Sequence, residues 1–594
     1  MGDSRVAQPP LNRRRFKLIL IKPSHYDDDG YVIQWLRSPI PANSLACLYG
    51  IADHARETEA LGPDVQLDIE AYDETNTRIE TGRLARLILE ADDGAVMLAG
   101  VQSNQFPRAL EIARQFRALG VKVGIGGFHV SGTLAMLPGV ERNVQAALDL
   151  GCFVYAGEAE EGRLEEVLRD LMSGEVKPIY NHMNDLPGIE HVPPPHLPAE
   201  VVRRTFGANS SFDAGRGCPY QCSFCTIINV QGRKSRRRSA DDVEKIVREN
   251  AAQGILKFFI TDDNFARNKD WEIIFDRLIH LREVEGINIR LTIQVDTLCH
   301  KHPGFIEKAR RAGVRRCFIG LENISPDNLI AAKKRQNKIT EYRKMLLAWK
   351  EAKVITYCGY ITGFPADTPE RLIRDVQTVQ RELPLDLLEF FFLTPLPGSE
   401  DHQKMAAAGE WMDQDLNKYD LNHRVSHHAQ MSDEAWERVY RDCWKAYYTP
   451  EHMTRVMRRN AAMGNSVGKV LFLLGWFKGA LFIEDIHPLE CGFVRTKHRL
   501  DRRPGMKIEP ALLFYPKYWA ETVIKHVRWI SLYARFFFAY HLIKRDPKRR
   551  QYMDTALEPV TDHEDEREMF QTEEGHAFVV EQRRMDKIKA EAAA

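Results

Sequence analysis

Three cysteines lie close together in the segment Cys218-Pro-Tyr-Gln-Cys222-Ser-Phe-Cys225. The chain has 10 cysteines in 594 residues, so this spacing would arise in only about three of a thousand random chains of that composition. Three thiolates at such spacing suit a soft metal centre. A structural zinc site would want a fourth Cys or His nearby, and the thirty residues after Cys225 contain neither. Three ligands would instead leave one corner of a four-iron cluster open to another molecule; a zinc knuckle is the alternative.

The cysteine spacing and the aromatic Phe224 before the last cysteine resemble the signature of the radical S-adenosylmethionine (radical SAM) superfamily. The resemblance implies that Cys218, Cys222 and Cys225 hold a 4Fe-4S cluster whose fourth iron binds the amine and carboxylate of SAM. It further implies that one electron from the reduced cluster cleaves SAM to a 5′-deoxyadenosyl radical. Such a cleavage would need a cluster potential at the low end of the known range, about −700 mV.

The first part of the chain, residues 1–185, alternates between predicted strands and helices. Strands are predicted at 17–21, 95–99, 121–125 and 152–155, and helices at 43–59 and 108–119. Strands that alternate with helices indicate an α/β fold with a parallel, doubly wound, Rossmann-like sheet. Ligands of such sheets bind beyond the carboxyl ends of the strands.

Polar or glycine-rich turns follow three of these strands. They contain Gln102, Ser103 and Asn104, then Gly126, Gly127 and His129, then Gly157 and Glu158. Glycine lets the backbone approach a bulky ligand, although ordinary turns share this composition. The order of the turns resembles the cobalamin-binding domain that precedes the core in one branch of the superfamily, which implies that these residues bind cobalamin. The D-x-H-x-x-G motif of many corrinoid proteins does not occur in the sequence. His129 is therefore interpreted as a shape or hydrogen-bonding residue and not as a cobalt ligand.

A proline-rich linker is predicted at 186–204, followed by a second series of strands and helices at 205–410. Strands are predicted at 210–214, 257–261, 290–295, 316–321, 355–362 and 388–393. Their number suits a βα (TIM-like) barrel, complete or partial. The chemistry of such a barrel lies at the carboxyl ends of its strands.

Four motifs at these strand ends add to the resemblance. They are D-D-x-F with Asp262, Asp263 and Asn264; G-L-E-N with Glu322; G-x-I-x-G with Gly359, Ile361 and Gly363; and T-P-L-P-G at 394–398. The resemblance implies that the named residues, together with Phe224, bind SAM. A carboxylate suits this role because it accepts hydrogen bonds from an ammonium group. The alternative for the aspartates is an Asp-rich turn or a helix cap.

The basic run at 233–238 is interpreted as a solvated loop that opens a helix capped by Ser239. Acidic residues follow it at once, and no aromatic residues are interleaved as in a nucleic-acid surface. The run also resembles an R-R-R-S element found in the cobalamin-binding branch of the superfamily. The resemblance implies that this run binds the SAM carboxylate or seals the site.

Residues 411–545 are predicted to be helical and aromatic, and 546–594 to be a charged tail. The favoured interpretation is a set of core helices that cap the barrel; a groove for a large apolar substrate, or an interfacial helix, is the alternative. The segment 484–503 is interpreted as a surface loop, although it could reach the barrel mouth. The apolar run 470–483 is shorter than the about 20 residues that span a bilayer, which predicts a buried helix.

Composition sets the broad class. Lys+Arg and Asp+Glu both total 83, so the formal net charge is zero, and no global attraction to nucleic acid or an anionic membrane is expected. The other seven cysteines are isolated, as expected of reduced cytosolic thiols. Residues 1–16 do not have the pattern of a signal peptide. A cytoplasmic location is predicted.

The predicted function is that of a cobalamin-dependent radical SAM enzyme, a methyltransferase that acts on an unactivated carbon through a 5′-deoxyadenosyl radical and methylcobalamin. The implied cofactors are the 4Fe-4S cluster, SAM and cobalamin. The expected partners are a small-molecule substrate, large and apolar, and an electron donor such as flavodoxin or ferredoxin. No nucleic acid is expected, and peripheral membrane contact stays an open alternative without further support. Two alternatives stay open: a radical SAM cyclase or rearrangement enzyme without methyl transfer, and a non-catalytic corrinoid or metal-binding sensor.

Overall fold

A computed structural model of the protein describes residues 13–561, 564–571, 575–577, 579–581 and 584. The N-terminal strands are β1 (Arg14–Lys22), β2 (Gln34–Arg37), β3 (Val65–Asp73), β4 (Asp93–Leu98), β5 (Lys122–Gly126), β6 (Phe153–Ala156) and β7 (Ile179–Asn181). The helices between them are α1 (Asn43–Glu57), α2 (Thr81–Leu89), α3 (Phe106–Ala118), α4 (Phe128–Met136), α5 (Arg142–Asp149) and α6 (Arg163–Ser173). Residues 1–12 of the predicted N-terminal domain and part of the predicted charged tail lie outside the described residues.

Six of these strands form one parallel sheet in the order β3-β1-β4-β5-β6-β7. Strand β1 lies inside the sheet because its side chains are apolar on both faces. Leu18 and Leu20 pack into the core on one side of the sheet, and Ile19 and Ile21 pack into the core on the other side. The chain adds β3 on one side of β1 and then β4 on the other, which confirms the predicted doubly wound fold and places the topological switch between β1 and β4.

The predicted strands agree with the structure, but the prediction missed β2, β3 and β7. Strand β3 is an edge strand, and Leu67 and Ala71 are its buried apolar residues. Apolar residues at every second position, from Val65 to Ala71, were the signal that could have found it.

The second sheet also contains six parallel strands. The remaining strands of this region are β8 (Asn209–Phe212), β9 (Gly215–Arg216), β10 (Arg236–Arg237), β11 (Lys257–Ile260), β12 (Arg290–Val295), β13 (Val314–Glu322), β14 (Ile355–Thr362) and β15 (Leu387–Phe392). Its helices are α7 (Ala199–Val202), α8 (Ile227–Val230), α9 (Ala240–Ala252), α10 (Trp271–Glu283), α11 (Phe305–Ala312), α12 (Pro326–Ala331), α13 (Ile339–Glu351), α14 (Pro369–Glu382) and α15 (Glu400–Ala408). The sheet order is β15-β14-β13-β12-β11-β8, so in the described structure the barrel is partial and stays open between β15 and β8.

The C-terminal region is helical, as predicted. It contains α16 (Asp433–Tyr447), α17 (Pro450–Met463), α18 (Val467–Gly479) and α19 (Ala511–Arg545), with β16 (Phe493–Thr496) paired to β2. Helix α16 covers β15, and the rings of Tyr440 and Phe392 stack at 4.1 Å. In the described part of the chain, no helix has the length and apolarity that crossing a membrane requires.

Two interpretations of this region were wrong in detail. Helix α19 is not a core helix, since Phe514, Phe536 and Ile543 are its buried residues and most of the others are exposed. The first part of the segment 484–503 is not a surface loop. His487 is buried, its Nε2 atom lies 3.2 Å from the carbonyl oxygen of Phe390, and the segment runs along the open side of the barrel.

The two sheets meet at a contact between glycines. Gly132 on α4 lies against Pro397 and Gly398 in the turn after β15, and a Cβ atom on Gly132 would come within 2.7 Å of the Pro397 carbonyl oxygen. Gly398 has φ +99°, a conformation that favours glycine. The absence of two side chains therefore lets the N-terminal sheet lie close to the barrel mouth.

This contact gives a first test. We expect Gly132→Ala to lower the free energy of unfolding by about 1–3 kcal/mol, because the new methyl group overlaps backbone that cannot rotate away. Gly82→Ala on α2 is the matched control, since the space around Gly82 is open, and it should change the free energy by less than about 1 kcal/mol. Urea unfolding followed by circular dichroism measures both; equal values for the two variants would contradict the contact.

Candidate active site

The three cysteines lie in the loop that follows β9, beyond the carboxyl end of β8. The backbone N–H of Cys218 donates to the Gly232 carbonyl oxygen at 3.2 Å. Gly217 before it has φ +87°, and a Cβ atom there would come within 2.5 Å of the Lys234 carbonyl oxygen. Glycine is therefore required for the loop to turn back against 231–234 and present its thiols to the barrel.

Two polar side chains from the turn after α12 approach the thiols. Gln336 Nε2 donates to Cys222 Sγ at 3.4 Å, and the ammonium of Lys334 lies near Cys222 and Cys225 and over the ring of Phe224 at 5.8 Å. Hydrogen bonds and positive charge near sulfur favour thiolate ligands and tune the potential of an iron–sulfur cluster.

The thiols themselves are enclosed. Burial raises the pKa of Cys218 to about 11 and that of Cys225 to about 12, so the free groups hold their protons at neutral pH. Among the described residues, no three His, Cys, Asp or Glu side chains converge as they would on a single metal ion. The donor set of three sulfurs, with an amide and an ammonium beside them, fits a polynuclear thiolate-bound cluster.

The two predicted aspartates have different surroundings. Asp262 is buried, and its carboxylate accepts hydrogen bonds from the Ala214 N–H at 2.6 Å and from Asn268 Nδ2 at 3.3 Å. Asp263 is also enclosed, but its Oδ2 atom has no hydrogen-bond partner among the described residues. Burial raises the pKa of each carboxyl to about 7. Asp262 therefore holds the backbone before the cysteine loop, and Asp263 is the one with a free acceptor.

Asn264 belongs to a group around Asp296. Asp296 accepts hydrogen bonds from Asn264 Nδ2 at 2.9 Å, from Tyr220 Oη at 2.9 Å and from Arg267 Nε at 2.6 Å. Tyr220 lies between the first two cysteines, so this group ties the cysteine loop to the ends of β11 and β12.

Glu322, at the end of β13, has φ +64°, an uncommon conformation for a residue with a side chain. It forms an ion pair with Lys334. The pairing of β13 with β14 is irregular between Ile319 and Glu322. The irregular backbone turns the carboxylate toward the lysine that approaches the thiols.

Of the predicted residues in this motif, Gly359 and Ile361 lie on one face of β14, and Gly363 lies just beyond the end of the strand. Ile361 packs in one cluster with Phe224 and Phe364. A Cβ atom on Gly359 would come within 3.0 Å of the Phe391 ring, so this glycine accommodates core side chains. A Cβ atom on Gly363, which has φ +105°, would overlap the Trp436 ring at 1.9 Å.

Sequence reasoning missed a buried carboxylate on β15. Glu389 lies opposite Gly359 and is fully buried. Neither of its carboxylate oxygens has a hydrogen-bond partner in the part of the chain that the structure describes. Burial raises its pKa to about 8. The signal that could have found it is a single acidic residue in an otherwise apolar strand, Leu-Leu-Glu-Phe-Phe-Phe.

The carboxyl ends of the N-terminal strands enclose a crevice that faces the cysteine loop. A slot of 180 Å³ lies beneath β4, β5 and β6 and is lined by Gly100, Gly126 and Gly127. It adjoins a cavity of 300 Å³, since Ser44 and Phe128 line both. Glycine and serine at these positions leave room and hydroxyl groups for a bulky ligand.

The other predicted cobalamin residues divide between this cavity and the protein interior. Gln102 and Ser103 line the cavity. Asn104 is buried and donates to Glu490 Oε1 at 3.1 Å. His129 is fully buried; its Nδ1 atom lies 3.1 Å from Ser103 Oγ, and its Nε2 atom lies 3.5 Å from Glu141 Oε2. This position fits a shape-giving histidine, as interpreted from the sequence.

The same cavity extends to the barrel. Asp263, Thr226 and Ile227 line it, and Thr226 directly follows the third cysteine. Residues at the ends of the N-terminal strands and Asp263 of the barrel therefore line one space.

A cluster of buried charges joins the two sheets, and we call it the Arg216 cluster. It contains Glu158 and Glu160 from the N-terminal sheet and Asp213, Arg216, Arg236 and Arg238 from the barrel. Arg216 donates to Glu158 at 2.7 Å, to Glu160 at 2.7 Å and to Asp213 at 2.8 Å. Gly157 has φ +108° and turns the chain so that Glu158 reaches the arginines. Glu158 is thus committed to protein partners.

Electrostatics hold this cluster ionised. Burial would raise the pKa of Asp213 and of Glu160, but the Arg216 guanidinium outweighs it and keeps both below their usual values. The two carboxylates therefore stabilise the folded protein at any pH above about 4, which is their pKa in the unfolded chain. This stabilisation is lost as the pH falls through their lower pKa values in the folded protein. The basic run at 233–238 was interpreted as solvated, and this was wrong for Arg236 and Arg238, which are partly and fully buried. Ser239 caps α9 as predicted.

Residues 214–379 match the profile of the Radical SAM superfamily. This part of the chain is a radical SAM domain. The matched range contains the three cysteines and four of the six strands of the partial barrel, β11 to β14.

Similar proteins extend the match beyond the radical SAM domain. The chain is 26% identical over 352 residues to bacteriochlorophyllide d C-8(2)-methyltransferase of Chlorobaculum tepidum, which covers 56% of this chain and 73% of that protein. It is 26% identical over 326 residues to the C-12(1)-methyltransferase of the same organism, covering 53% and 66%. Hopanoid C-2 methylase of Rhodopseudomonas palustris is 24% identical over 249 residues, covering 41% and 46%. The aligned regions thus span about half to three quarters of these relatives.

Two solved structures share the fold. The cobalamin-dependent S-adenosylmethionine radical enzyme OxsB, with aqua-cobalamin bound, superposes with a TM-score of 0.52 and 13% identity over 92% of this chain and 83% of that chain. The radical SAM methyltransferase TsrM from Kitasatospora setae, with tryptophan and a SAM analogue bound, has a TM-score of 0.50 and 18% identity. The superposition covers 66% of this chain and 76% of that chain. At these identities the likeness concerns the fold, which extends well beyond the radical SAM domain.

The Arg216 cluster gives a second test. We expect Arg216→Met to lower the free energy of unfolding by about 3–5 kcal/mol, since it leaves three carboxylates buried without their main partner. Arg248→Met is the control, because Arg248 also contacts two carboxylates, Glu244 and Glu285, but at the surface, where ion pairs contribute little. Thermal unfolding at pH 7 measures both variants. An Arg216→Met protein as stable as the control would refute the role of the cluster.

Proposed function

We propose that the protein is a cobalamin-dependent radical SAM methyltransferase that acts on an unactivated carbon atom of a small molecule. The observation that carries the proposal is the shared cavity, which residues at the ends of the N-terminal strands line together with Asp263 of the barrel, beside the cysteine loop. A methyl donor held by one sheet and a hydrogen-abstracting centre held by the other must reach the same carbon atom, so both sites have to open into one cavity.

Each part of the chain has a role in this proposal. Cys218, Cys222 and Cys225 would hold the cluster, and the slot beneath Gly126 and Gly127 would receive the corrinoid. When bound, the cluster supplies the electron that cleaves SAM, and the corrinoid supplies the methyl group. The protein's own contribution is to bind, to orient and to exclude water.

The carboxylates divide the work of holding SAM. The free Oδ2 atom of Asp263 can accept a hydrogen bond from the SAM ammonium. Glu322 acts through Lys334, whose charge lies beside the thiols. Asp262 keeps the Ala214 backbone, and so the start of the cysteine loop, in place. Residues of β14 enclose the site from below, with Ile361 against Phe224.

The relatives support methyl transfer and a large substrate. Three of them are named as methyltransferases or a methylase of bacteriochlorophyllide or hopanoid, and a substrate of that size and apolar character would suit the aromatic C-terminal region. A low-potential donor such as flavodoxin or ferredoxin would supply the electron in the cytoplasm. The similarity to an anaerobic magnesium-protoporphyrin IX monomethyl ester cyclase of Synechocystis, 22% identical over 213 residues, supports the second candidate, a cyclase.

An anaerobic assay tests the proposal. Protein prepared with iron, sulfide and cobalamin should contain roughly four irons per chain, and with SAM and dithionite it should release 5′-deoxyadenosine and S-adenosylhomocysteine. Release of 5′-deoxyadenosine alone would favour the cyclase, and release of neither would favour a sensor. The readout for methyl transfer is S-adenosylhomocysteine, which a cyclase does not need.

A pair of cysteine variants makes the test specific. We expect Cys225→Ala to lose the iron–sulfur absorbance and both products, because two thiolates cannot replace three around the cluster. Cys152→Ala, at a buried cysteine of the N-terminal sheet, should keep both. Iron bound and products formed by the Cys225 variant as by the wild type would refute the assignment.

A further inference from the structure

Helix α19 carries an exposed apolar stripe along its whole length. The helix has 35 residues, which makes it about 50 Å long. Six large apolar or aromatic side chains that are each more than half exposed recur at helical spacing on one side: Leu512, Trp519, Val523, Val527, Ile530 and Phe537. We call them the outer stripe. At 100° per residue, their positions fall within a sector of about 80°.

The side of α19 that faces α18 is already packed. Trp529 and Tyr533 lie against Gly479 and Gly475 of α18, where a Cβ atom would come within 2.3 and 2.5 Å of the rings. Trp529 Nε1 also donates to Glu484 Oε1 at 2.9 Å. Because this inner side is fixed by close packing and a hydrogen bond, the helix cannot rotate to bury the outer stripe in its own protein.

Positive charge accompanies the stripe. Helix α19 contains six Lys or Arg residues and one acidic residue, Glu521. Glu521 pairs with Lys525, whereas Arg528 and Arg535 are exposed and form no ion pair with any described carboxylate. At 100° per residue these two arginines lie about 80–100° beyond the outer stripe, on the far side of the exposed Ile524 and Phe538. The net charge of the protein is zero, so this local excess is a property of the helix and not of the composition.

The positive charge continues into a neighbouring cavity. An apolar groove of 550 Å³ runs beside α19 and is lined by Ile530 and Phe537 of the outer stripe. Through Phe472 and Trp476 it adjoins a cavity of 680 Å³ at the amino ends of the barrel strands. Six cations line that cavity, namely Lys257, Arg290, Arg315, Arg316, Lys353 and Lys469, and no described Asp or Glu does.

We propose that the outer stripe of α19 docks the protein on an anionic membrane surface, with the stripe in the acyl boundary and the flanking cations at the headgroups. An exposed apolar patch of this extent marks an interaction site. An interfacial helix combines Trp, Phe and Leu on one face with Lys and Arg beside them and lies about 5–10 Å deep in the bilayer. The excess of unpaired cations is complementary to anionic lipids and would repel a second copy of the same helix.

Vesicle sedimentation tests the proposal with the full chain. The wild-type protein should sediment with vesicles of phosphatidylcholine and phosphatidylglycerol and less with phosphatidylcholine alone. The double variant Val523→Glu and Ile530→Glu should lower the partition coefficient at least about tenfold, because two charges would enter the acyl boundary. Both side chains are exposed, at 59% and 69%, so the fold should persist, as circular dichroism would verify.

Two further variants control for charge and for position. Arg528→Glu with Arg535→Glu should lower binding to the anionic vesicles at least about tenfold and leave binding to neutral vesicles unchanged. Leu89→Glu with Val284→Glu, at positions exposed by 59% and 71% away from α19, should bind like the wild type.

Either of two results would overturn the proposal. One is equal vesicle binding by the wild type and the Val523 and Ile530 double variant. The other is a wild-type dimer in sedimentation velocity without lipid that the same double variant abolishes, which would identify the outer stripe as a protein interface. Vesicle binding is measured without turnover, so its outcome is independent of whether the protein transfers methyl groups.

Discussion

The Arg216 cluster is the interaction on which the rest of the structure depends. Arg216 lies two residues before the first cysteine, and its guanidinium donates to carboxylates from both sheets. Three carboxylates and three arginines meet in the cluster, so the buried charges balance, which is the condition under which burying them is tolerable. One side chain therefore fixes the start of the cysteine loop and the position of the N-terminal sheet above it. Arg216 also lines both the slot beneath the N-terminal strands and the cavity beside it, so the ion cluster forms part of their wall.

Close backbone contact completes that placement. The glycine pair Gly132 and Gly398 lets α4 approach the turn after β15, and the segment around His487 runs along the open side of the barrel and reaches the N-terminal sheet through Glu490. Because the barrel is partial, its open side has to be covered by other parts of the chain. The covering elements come from before and after the barrel in sequence, so the three regions pack against one another.

The features that sequence predicts well are local. The cysteine spacing, the alternation of strands and helices and the Ser239 cap each depend on neighbouring residues. The features it misses depend on residues far apart, as the Glu158–Arg236 contact does across 78 positions. A basic run such as 233–238 looks the same whether it meets water or buried carboxylates, so only the fold distinguishes them. Helix α19 shows the converse, since an aromatic, apolar sequence predicts a core helix even when the apolar side faces outward.

Unpaired buried carboxylates separate residues that maintain the fold from residues that await a ligand. Asp262 and Asp263 are adjacent in one motif, yet Asp262 is satisfied by backbone and amide donors, whereas the Oδ2 atom of Asp263 has no partner among the described residues. Leaving a buried polar group unpaired costs free energy. Such groups are found at functional sites, where a bound ligand supplies the missing partner. Glu389 has two free oxygens at the level of Gly359 in the barrel interior. By the same reasoning we infer that Asp263 is the member of the motif that meets a ligand, whereas Asp262 maintains the fold.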